Sequence, residues 1–574
     1  MTSLQRPAPA PTPTPERPRR RVGGRGVLAL AVILAVAVAA PLIAVLIRAV
    51  VGYDGSPSAL DALADADNLR VIGNTVLLGV LVVVIATVMA APLAYLMSWT
   101  PMRNKRWIDI AVMVPFMTPP YVAALAWMDF TRVDGLADRW LGTWIGDGVR
   151  AVLDTPVGMA AIMACELFTF LYLLLRNRFD AMPASSDEAA EVSGASWGQR
   201  LRWVVAPLMT PTFALGALVV FLRACAEFGT PITLGNRIGF PVLVSEIYRN
   251  VTIDPLDFPR ASAFATVLLG MGITVWGLQQ WVARKEVPLG ARTGRRVLVR
   301  DGRWRLVGYP WIIVVLLLSV VVPFVAVIIG AMTVLRSGPL NLGNLTFDYF
   351  TRVLQPGQGL EALENSAVLA AVAATAATLF VLAYVSVMTV ARSKAPALPG
   401  LRRLVDLLGV APDTVPTIVL VIGFIFLWNA PWLPVTPYNS VWMIILAYTV
   451  IMLPLVLQSI KSSRTSFGEG LLEASAAAGA SPWQTTRHIM VPLMAPGIVA
   501  GWLLGFLFGL REVVASSLLR PASLELVSPW ILSEFDQGHR PEAMAMTVIG
   551  VLTSTVVLVV LEWWRRRMQE TRAA

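Results

Sequence analysis

The chain has 574 residues, of which 56% are hydrophobic and 14% are charged. Its mean hydropathy is +0.68. A soluble domain carries about 25% charged residues, so this composition excludes an ordinary soluble protein. The formal net charge of +10 does not require a nucleic-acid partner, because most of the basic residues fall in alternate loops between apolar segments.

The N-terminal residues 1–26 are rich in Pro, Ala and Thr and then in Arg. This composition predicts a disordered basic tail. The apolar segment 27–51 follows, and it is longer than the apolar core of a signal peptide, which has roughly 7–15 residues. We therefore predict that it forms the first membrane helix.

Apolar segments of about 20 residues, enough to cross a bilayer, recur along the chain. They predict twelve spans at 27–50, 71–98, 108–129, 154–175, 203–225, 261–283, 308–333, 364–391, 404–428, 438–459, 489–511 and 543–563. Proline in a membrane helix needs neighbours or water to satisfy the carbonyl group it frees. We therefore expect bent helices around a cavity, at Pro115, Pro119, Pro207, Pro211, Pro412, Pro416, Pro492 and Pro496.

Lysine and arginine are concentrated in every second loop, and the basic linker 284–306 is one of these segments. Basic loops stay in the cytoplasm, so both termini are predicted to be cytoplasmic. The expected organisation is a first domain at 27–283, the linker, a second domain at 307–565 and a cytoplasmic C-terminal tail at 566–574.

Two loops, one in each half of the chain, share one residue pattern. Three anchors keep their spacing and are displaced by 285 positions: Glu188, Gly194 and Pro207 in the first loop, and Glu473, Gly479 and Pro492 in the second. Matched pairs outside the loops are Glu227 with Glu512, and Pro115 and Pro119 with Pro412 and Pro416. This repeat predicts two homologous six-helix halves in the same orientation.

Each loop, 185–207 or 466–492, is predicted to be a helix–turn–helix. Capping-box spacings begin its helices, glycine permits the turn between them, and Pro482 suits a first helical position. The spacings pair Ser185 with Glu188, Ser466 with Glu469, Ser196 with Gln199, and Ser481 with Gln484. The Ala-rich first helix has a face without bulk that suits a partner's groove.

The pattern Glu-Ala-Ala, three residues, Gly and then Pro resembles the "EAA" loop of bacterial binding-protein-dependent ABC importer permeases. The first copy, Glu188-Ala189-Ala190, matches the triplet fully, whereas the second reads Glu473-Ala474-Ser475. The resemblance covers roughly residues 70–285 and 360–565. Fusion of both halves in one chain, with the segments that follow Ala226 and Arg511, is similar to the ferric-iron subgroup.

The resemblance implies an all-α fold of the type I ABC importer permease and multi-pass insertion in the bacterial plasma membrane. It also implies two cytoplasmic ABC ATPase subunits docked on the loops, and an extracytoplasmic binding protein that delivers substrate for alternating access. The residues that couple to the ATPases would be Glu188, Ala189, Ala190, Gly194, Pro207, Glu473, Ala474, Gly479 and Pro492.

The chain contains no GxxxxGK[ST] motif, so it lacks a P-loop for nucleotide phosphates. We expect no enzymatic activity and no cofactor in this chain, with ATP and Mg²⁺ bound by the partner subunits. Cys165 and Cys225 lie in apolar segments and are predicted to be buried small hydrophobes. With His488 and His539 they are too scattered for a metal centre.

Ionisable residues within membrane segments are costly to bury and so become candidates for the translocation pathway. The candidates are Glu166, Arg223, Glu227, Arg511 and Glu512. Arg223 and Glu227 are four positions apart and would pair along one helix face. Structural pairing at helix ends is the competing interpretation for Glu227 and Glu512.

The substrate that the resemblance favours is ferric iron or an iron complex, with thiamine, a phosphonate or a polyamine as alternatives. A twelve-helix secondary transporter is the alternative of another class. Its loop between the second and third spans would carry a Gly-x-x-x-Asp-Arg signature, and this loop reads Thr-Pro-Met-Arg-Asn-Lys-Arg at 100–106.

Overall fold

The computed structural model describes residues 22–51, 63, 65–182, 184–285, 303–394, 399–465, 467–468 and 470–573. Across these ranges the chain is helical, apart from turns and one isolated bridge between Thr333 and Leu345. Nine unbroken helices in the described ranges are long and apolar enough to cross a membrane. Two bent pairs of helices each supply a further span.

The spans of the first half, numbered first to sixth, are Gly24–Val51, Ala66–Trp99, the pair Arg106–Met117 and Pro120–Phe130, Pro156–Ala181, Trp197–Ala226 and Phe258–Ala283. Those of the second half, seventh to eleventh, are Trp304–Met332, Gln358–Thr389, the pair Pro399–Thr414 and Thr417–Trp428, Val441–Thr465 and Trp483–Leu510. The last helix is Arg540–Ala573. Eleven of the predicted spans match these helices. The twelfth lies in a 34-residue helix whose later side chains lie outside the described residues.

Shorter helices join the spans. In the first half they are Leu136–Leu141, Thr143–Leu153, Ala184–Val192, Pro231–Gly235 and Leu243–Thr252. In the second half they are Asp348–Leu354, Gly470–Ala477, Val514–Leu519 and Val527–Asp536. The two predicted docking loops lie at one end of the bundle, called here the loop end.

One predicted boundary was wrong. The first helix begins at Val22, so the last five residues of the predicted tail 1–26 are helical. A helix satisfies its backbone groups internally, which favours its extension at the edge of an apolar span. The last helix continues to Ala573, so the predicted C-terminal tail is helical up to that residue. Most of the predicted linker, residues 286–302, lies outside the described residues.

The third and ninth spans are broken at matching places. The chain turns by 89° in the third span and by 113° in the ninth. Pro119 and Pro416, 297 positions apart, stand immediately before the second helix of each pair. Proline lacks an N–H and disfavours helical geometry in the residue before it, so the first helix must stop. The predicted bends are confirmed here.

Four other prolines follow a π-helical turn instead of a break. A wider turn accommodates a ring that has no N–H to donate to the preceding turn. The turns are Ala35–Ala39 before Pro41, Leu201–Val205 before Pro207, Leu317–Val321 before Pro323, and Thr486–Met490 before Pro492. They occupy repeat-related positions in the first and seventh spans and in the fifth and eleventh.

Each half places its first helix on the other half. The first span packs against the eighth and ninth spans, and the seventh span packs against the second and third. Gly423 makes one close approach possible, because a Cβ there would lie 2.4 Å from the Pro41 carbonyl oxygen. Just past the seventh span, Arg336 forms an ion pair with Asp129 of the third. Burial and nearby Arg540 lower the pKa of Arg336 to about 10.

Candidate functional site

The two predicted docking loops form the same turn. Gly194 has a φ of +82° and Gly479 a φ of +80°, a left-handed conformation that costs glycine little. In the first loop the N–H of Ala195 donates to the carbonyl of Ala190 at 3.0 Å, and in the second Ala480 donates to Ser475 at 3.1 Å. This is the backbone bond of a Schellman helix end, and it confirms the predicted turns.

Capping boxes begin the second helix of each loop. The Ser196 N–H donates to the Gln199 side-chain oxygen at 2.8 Å, and the Gln199 N–H donates back to the Ser196 hydroxyl at 3.4 Å. Ser481 and Gln484 repeat this exchange at 2.8 and 3.3 Å. The earlier box at Ser185 was wrong, since the helix already begins at Ala184. Its counterpart, 466 and 469, lies outside the described residues.

In each loop, one residue of the second helix contacts a residue of the first helix, and the kind of contact differs between the two loops. In the first loop Arg200 forms an ion pair with Glu191. The position that matches Arg200 in the second loop is Thr485, whose hydroxyl lies 2.8 Å from that of Ser475. Both loops are therefore closed helix–turn–helix units.

The first helix of each loop presents the first two residues of its triplet to solvent. Glu188, Ala189, Glu473 and Ala474 are exposed, whereas Ala190 is partly buried and Ser475 is buried. Beside this face Val192 is 89% exposed. Pro207 and Pro492 then lie in the first turn of the α-helical part of the fifth and eleventh spans.

A charged contact joins the halves within the spans. The Arg223 guanidinium donates to the Asp413 carboxylate at 2.8 Å, with the two side chains 40% and 36% exposed. The predicted pair of Arg223 with Glu227 was wrong, because the fifth span ends at Ala226 and Glu227 leaves the helix face. Sequence reasoning missed Asp413, although a carboxylate inside a predicted span was the available signal.

Glu166 lines a cavity of about 150 Å³ between the fourth span, the seventh span and the last helix. Thr118, in the break of the third span, lines the same cavity. Arg511, Glu227 and Arg223 are close enough to interact electrostatically with Glu166. The structure thus places three of the other four pathway candidates around Glu166.

Glu227 and Glu512 have equivalent backbone contacts. The Glu227 carboxylate accepts the N–H groups of Gly229 and Thr230 at 2.7 and 3.1 Å. The Glu512 carboxylate accepts from Val514 and Ala515 at 2.9 and 2.8 Å. Both side chains are buried, and both cap the short helix that follows. Carboxylates that accept free N–H groups at a helix start stabilise it, which favours the structural interpretation.

A second repeated contact was missed. The buried N–H of Leu243 donates to the Thr75 hydroxyl at 2.8 Å, and that of Val527 donates to the Ser366 hydroxyl at 2.9 Å. The asparagine before each of these hydroxyl residues contacts the same segment of chain. The Asn74 side chain donates to the Pro241 carbonyl, and the Asn365 side chain donates to the Glu525 carbonyl. The available signal was the pair of dipeptides Asn-Thr and Asn-Ser, 291 positions apart. These contacts fix the connection after the fifth and eleventh spans.

A third repeated contact lies at the loop end. Asp109 of the third span pairs with Arg176 of the fourth. At the matching positions Asp406 pairs with Lys461 at 2.7 Å. In both halves a tyrosine hydroxyl joins the pair, from Tyr172 or Tyr384. The pairs hold together the two spans nearest the start of each docking loop.

The family described as binding-protein-dependent transport system inner membrane component matches residues 82–287 and 399–571. The ferric transport system permease protein FbpB of Actinobacillus pleuropneumoniae is 23% identical over 542 residues, 91% of this chain and 75% of that protein. The probable ABC transporter permease protein y4fN of Sinorhizobium fredii is 24% identical, over 93% of this chain and 95% of its own length. The sulfate transport system permease protein CysT of Escherichia coli is 27% identical over 33% of this chain.

The two matched regions cover most of both halves, each with one docking loop, as the internal repeat predicts. The alternative of a secondary transporter of another class is therefore not supported. This chain belongs to the inner membrane components of binding-protein-dependent transport systems, and it is a fused permease subunit of an ABC importer.

Proposed function

We propose that this chain forms the whole membrane-spanning part of an importer for ferric iron or an iron complex. Two separate ATPase subunits dock on its two loops, and an extracytoplasmic binding protein delivers the cargo to the opposite end of the bundle. ATP and Mg²⁺ bind to those ATPases and not to this chain. Alternating access between the halves then moves the cargo inward.

The observation that carries this proposal is the presence of two docking loops with one geometry. Each has a left-handed glycine, at Gly194 and Gly479, and before it a helix that exposes the first two residues of the triplet. Two equivalent docking sites in one chain suit two copies of one partner. The concentration of Lys and Arg at the loop end supports a cytoplasmic orientation for the loops and both termini.

Iron is supported by a relative that aligns through both halves, since a ferric transport permease aligns over 91% of this chain. The sulfate permease aligns over 33% of this chain and 68% of its own length, so it corresponds to about one half of the chain. The ion pair between the halves does not indicate which cargo the permease accepts, because the Asp413 carboxylate is already paired with Arg223. We therefore assign the choice of cargo to the binding protein.

Uptake of radioactive ferric iron in the native bacterium, with the gene for this chain deleted and then restored, tests the proposal. We expect iron uptake under iron limitation to fall several-fold on deletion and to return with the restored gene. Uptake of sulfate, thiamine and putrescine, measured in the same cells, should stay unchanged. Unchanged iron uptake with a loss of one of the other three would overturn the assignment of iron.

A further inference from the structure

Five aromatic side chains fix the first docking loop to the bundle. This aromatic cluster consists of Tyr95, Trp99, Phe179, Trp197 and Trp304. Tyr95 is its centre, with ring centroids 5.2 Å from Trp99, 6.0 Å from Phe179, 6.4 Å from Trp197 and 5.5 Å from Trp304. The cluster thus connects the second span, the fourth span, the docking loop and the seventh span.

Trp197 is the member that belongs to the loop. It is the first residue of the loop's second helix, and its indole N–H donates to the Tyr95 hydroxyl at 3.1 Å. Its ring lies 5.9 Å from that of Trp304. Trp197 therefore contacts Trp304 both directly and through Tyr95.

Trp304 belongs to the second half of the chain. It begins the seventh span, which packs on the second and third spans of the first half. The first docking loop consequently contacts a helix of each half. Trp99 and Phe179, which are buried, complete the cluster on its bundle side, and aromatic pairs in tilted or edge-to-face geometry stabilise a contact beyond the area that they bury.

The second docking loop has no aromatic residue at the matching positions. The counterparts of Trp197 and Phe179, displaced by 285, are Pro482 and Arg464. The second and eighth spans are related by 291 positions, as the Asn-Thr and Asn-Ser dipeptides show, so the counterpart of Tyr95 is Ser386. The first and seventh spans are related by 282 positions, as their π-helical turns show, so the counterpart of Trp304 is Val22. The two loops are alike in backbone and differ in sequence at the positions of the aromatic cluster.

We propose that Trp197 and Trp304 form a transmission contact through which the first docking loop moves both halves together, a role that the second loop does not share. This inference rests on the proposed docking of ATPases to the loops. Both tryptophans are positioning residues: they transmit the movement and do not contact the cargo.

The test measures substrate uptake per ATP hydrolysed, in vesicles that contain the complete permease with its ATPases and binding protein. Trp304→Ala and Trp197→Ala are expected to lower this ratio several-fold while the ATPases remain bound. Trp304→Phe, which keeps a ring at the contact, should restore it. Trp281→Ala is the matched control, because Trp281 is a 55% exposed tryptophan at the end of the sixth span, outside the cluster.

An unchanged ratio in Trp304→Ala, or an equal fall in Trp281→Ala, would overturn the transmission contact. If the alanine variant does not accumulate in the membrane, Trp304→Leu keeps an apolar side chain without a ring, and the same comparison applies. Failure of the unmodified permease to retain any ATPase would instead overturn the proposed docking. The two failures are therefore distinguishable in one experiment.

Discussion

Arg223 in the fifth span donates a 2.8 Å hydrogen bond to Asp413 in the ninth, and so joins the two halves of the chain. Asp413 lies three residues before Pro416, where the ninth span turns by 113°. On the other side, the Arg223 guanidinium lies 5.3 Å from the Phe170 ring centroid of the fourth span. The pair therefore joins the two halves beside the break in the ninth span.

Loss of one member of this pair should slow transport modestly. Because both side chains are more than a third exposed, the pair contributes about 0.2–1 kcal/mol, the magnitude of exposed ion pairs. We expect Arg223→Gln and Asp413→Asn each to lower the initial uptake rate by up to about fivefold. The double variant should be no slower than the slower single variant, as coupled residues behave in a double-mutant cycle. Fully additive effects would show that the pair does not act as a unit.

The hydroxyl contacts after the fifth and eleventh spans should matter for stability. Thr75→Val leaves the buried N–H of Leu243 without its acceptor, at a cost of about 1–3 kcal/mol. Ser366→Ala does the same to Val527. Thermal unfolding of the purified protein should therefore begin at lower temperature in both. Thr75→Ser and Ser366→Thr are the controls, since each half already uses the other's hydroxyl. Equal unfolding temperatures for Thr75→Val and Thr75→Ser would show that the hydroxyl contact does not stabilise the protein.

Glu227 and Glu512 should be needed for the fold more than for the cargo. Hydrogen bonds to a charged group contribute about 1.5–3 kcal/mol, so Glu227→Ala should lower the yield and the unfolding temperature. Glu227→Gln keeps one acceptor oxygen for the N–H groups, so its unfolding temperature should lie between those of Glu227→Ala and the unmodified protein. Uptake per folded molecule should change little in Glu227→Gln. A variant that folds normally but loses uptake would instead place this carboxylate in the pathway.

The docking-loop turns should depend on glycine alone. At Gly194 and Gly479 an added Cβ meets no neighbour within 4 Å, so the cost of Gly→Ala is the left-handed backbone itself, about 1–2 kcal/mol. We expect several-fold less ATPase to purify with Gly194→Ala or Gly479→Ala. Gly198→Ala is the control, because Gly198 has equal space but helical geometry. Equal ATPase retention in Gly194→Ala and Gly198→Ala would contradict this account of the turns.

The sequence predicted those features of the fold that depend only on residues close together in the chain. Apolar length predicts the spans, and the repeat identifies the residues that recur, so the turn at Gly194 and the break at Pro119 were predictable. The Ser196 capping box was predictable for the same reason, since its partner is three residues away.

The remaining features depend on how distant segments pack. The packing of each first helix on the other half cannot be read from the sequence, because the composition of an apolar span does not depend on which helix it contacts. Asp413 lies 190 positions from Arg223, and nothing in either segment identifies the other. The predicted pair of Arg223 with Glu227 was wrong because Glu227 lies one residue past the end of the helix, where it no longer follows the helix face.

Native mass spectrometry of the permease purified with its associated subunits tests the central claim most directly. Two equivalent docking loops predict a complex with two ATPase chains per permease chain. Gly194→Ala or Gly479→Ala should each reduce the population that carries two ATPases and increase the population that carries one. A complex without any ATPase, accompanied by substrate uptake that continues when ATP is depleted, would contradict the assignment of these loops as ATPase docking sites.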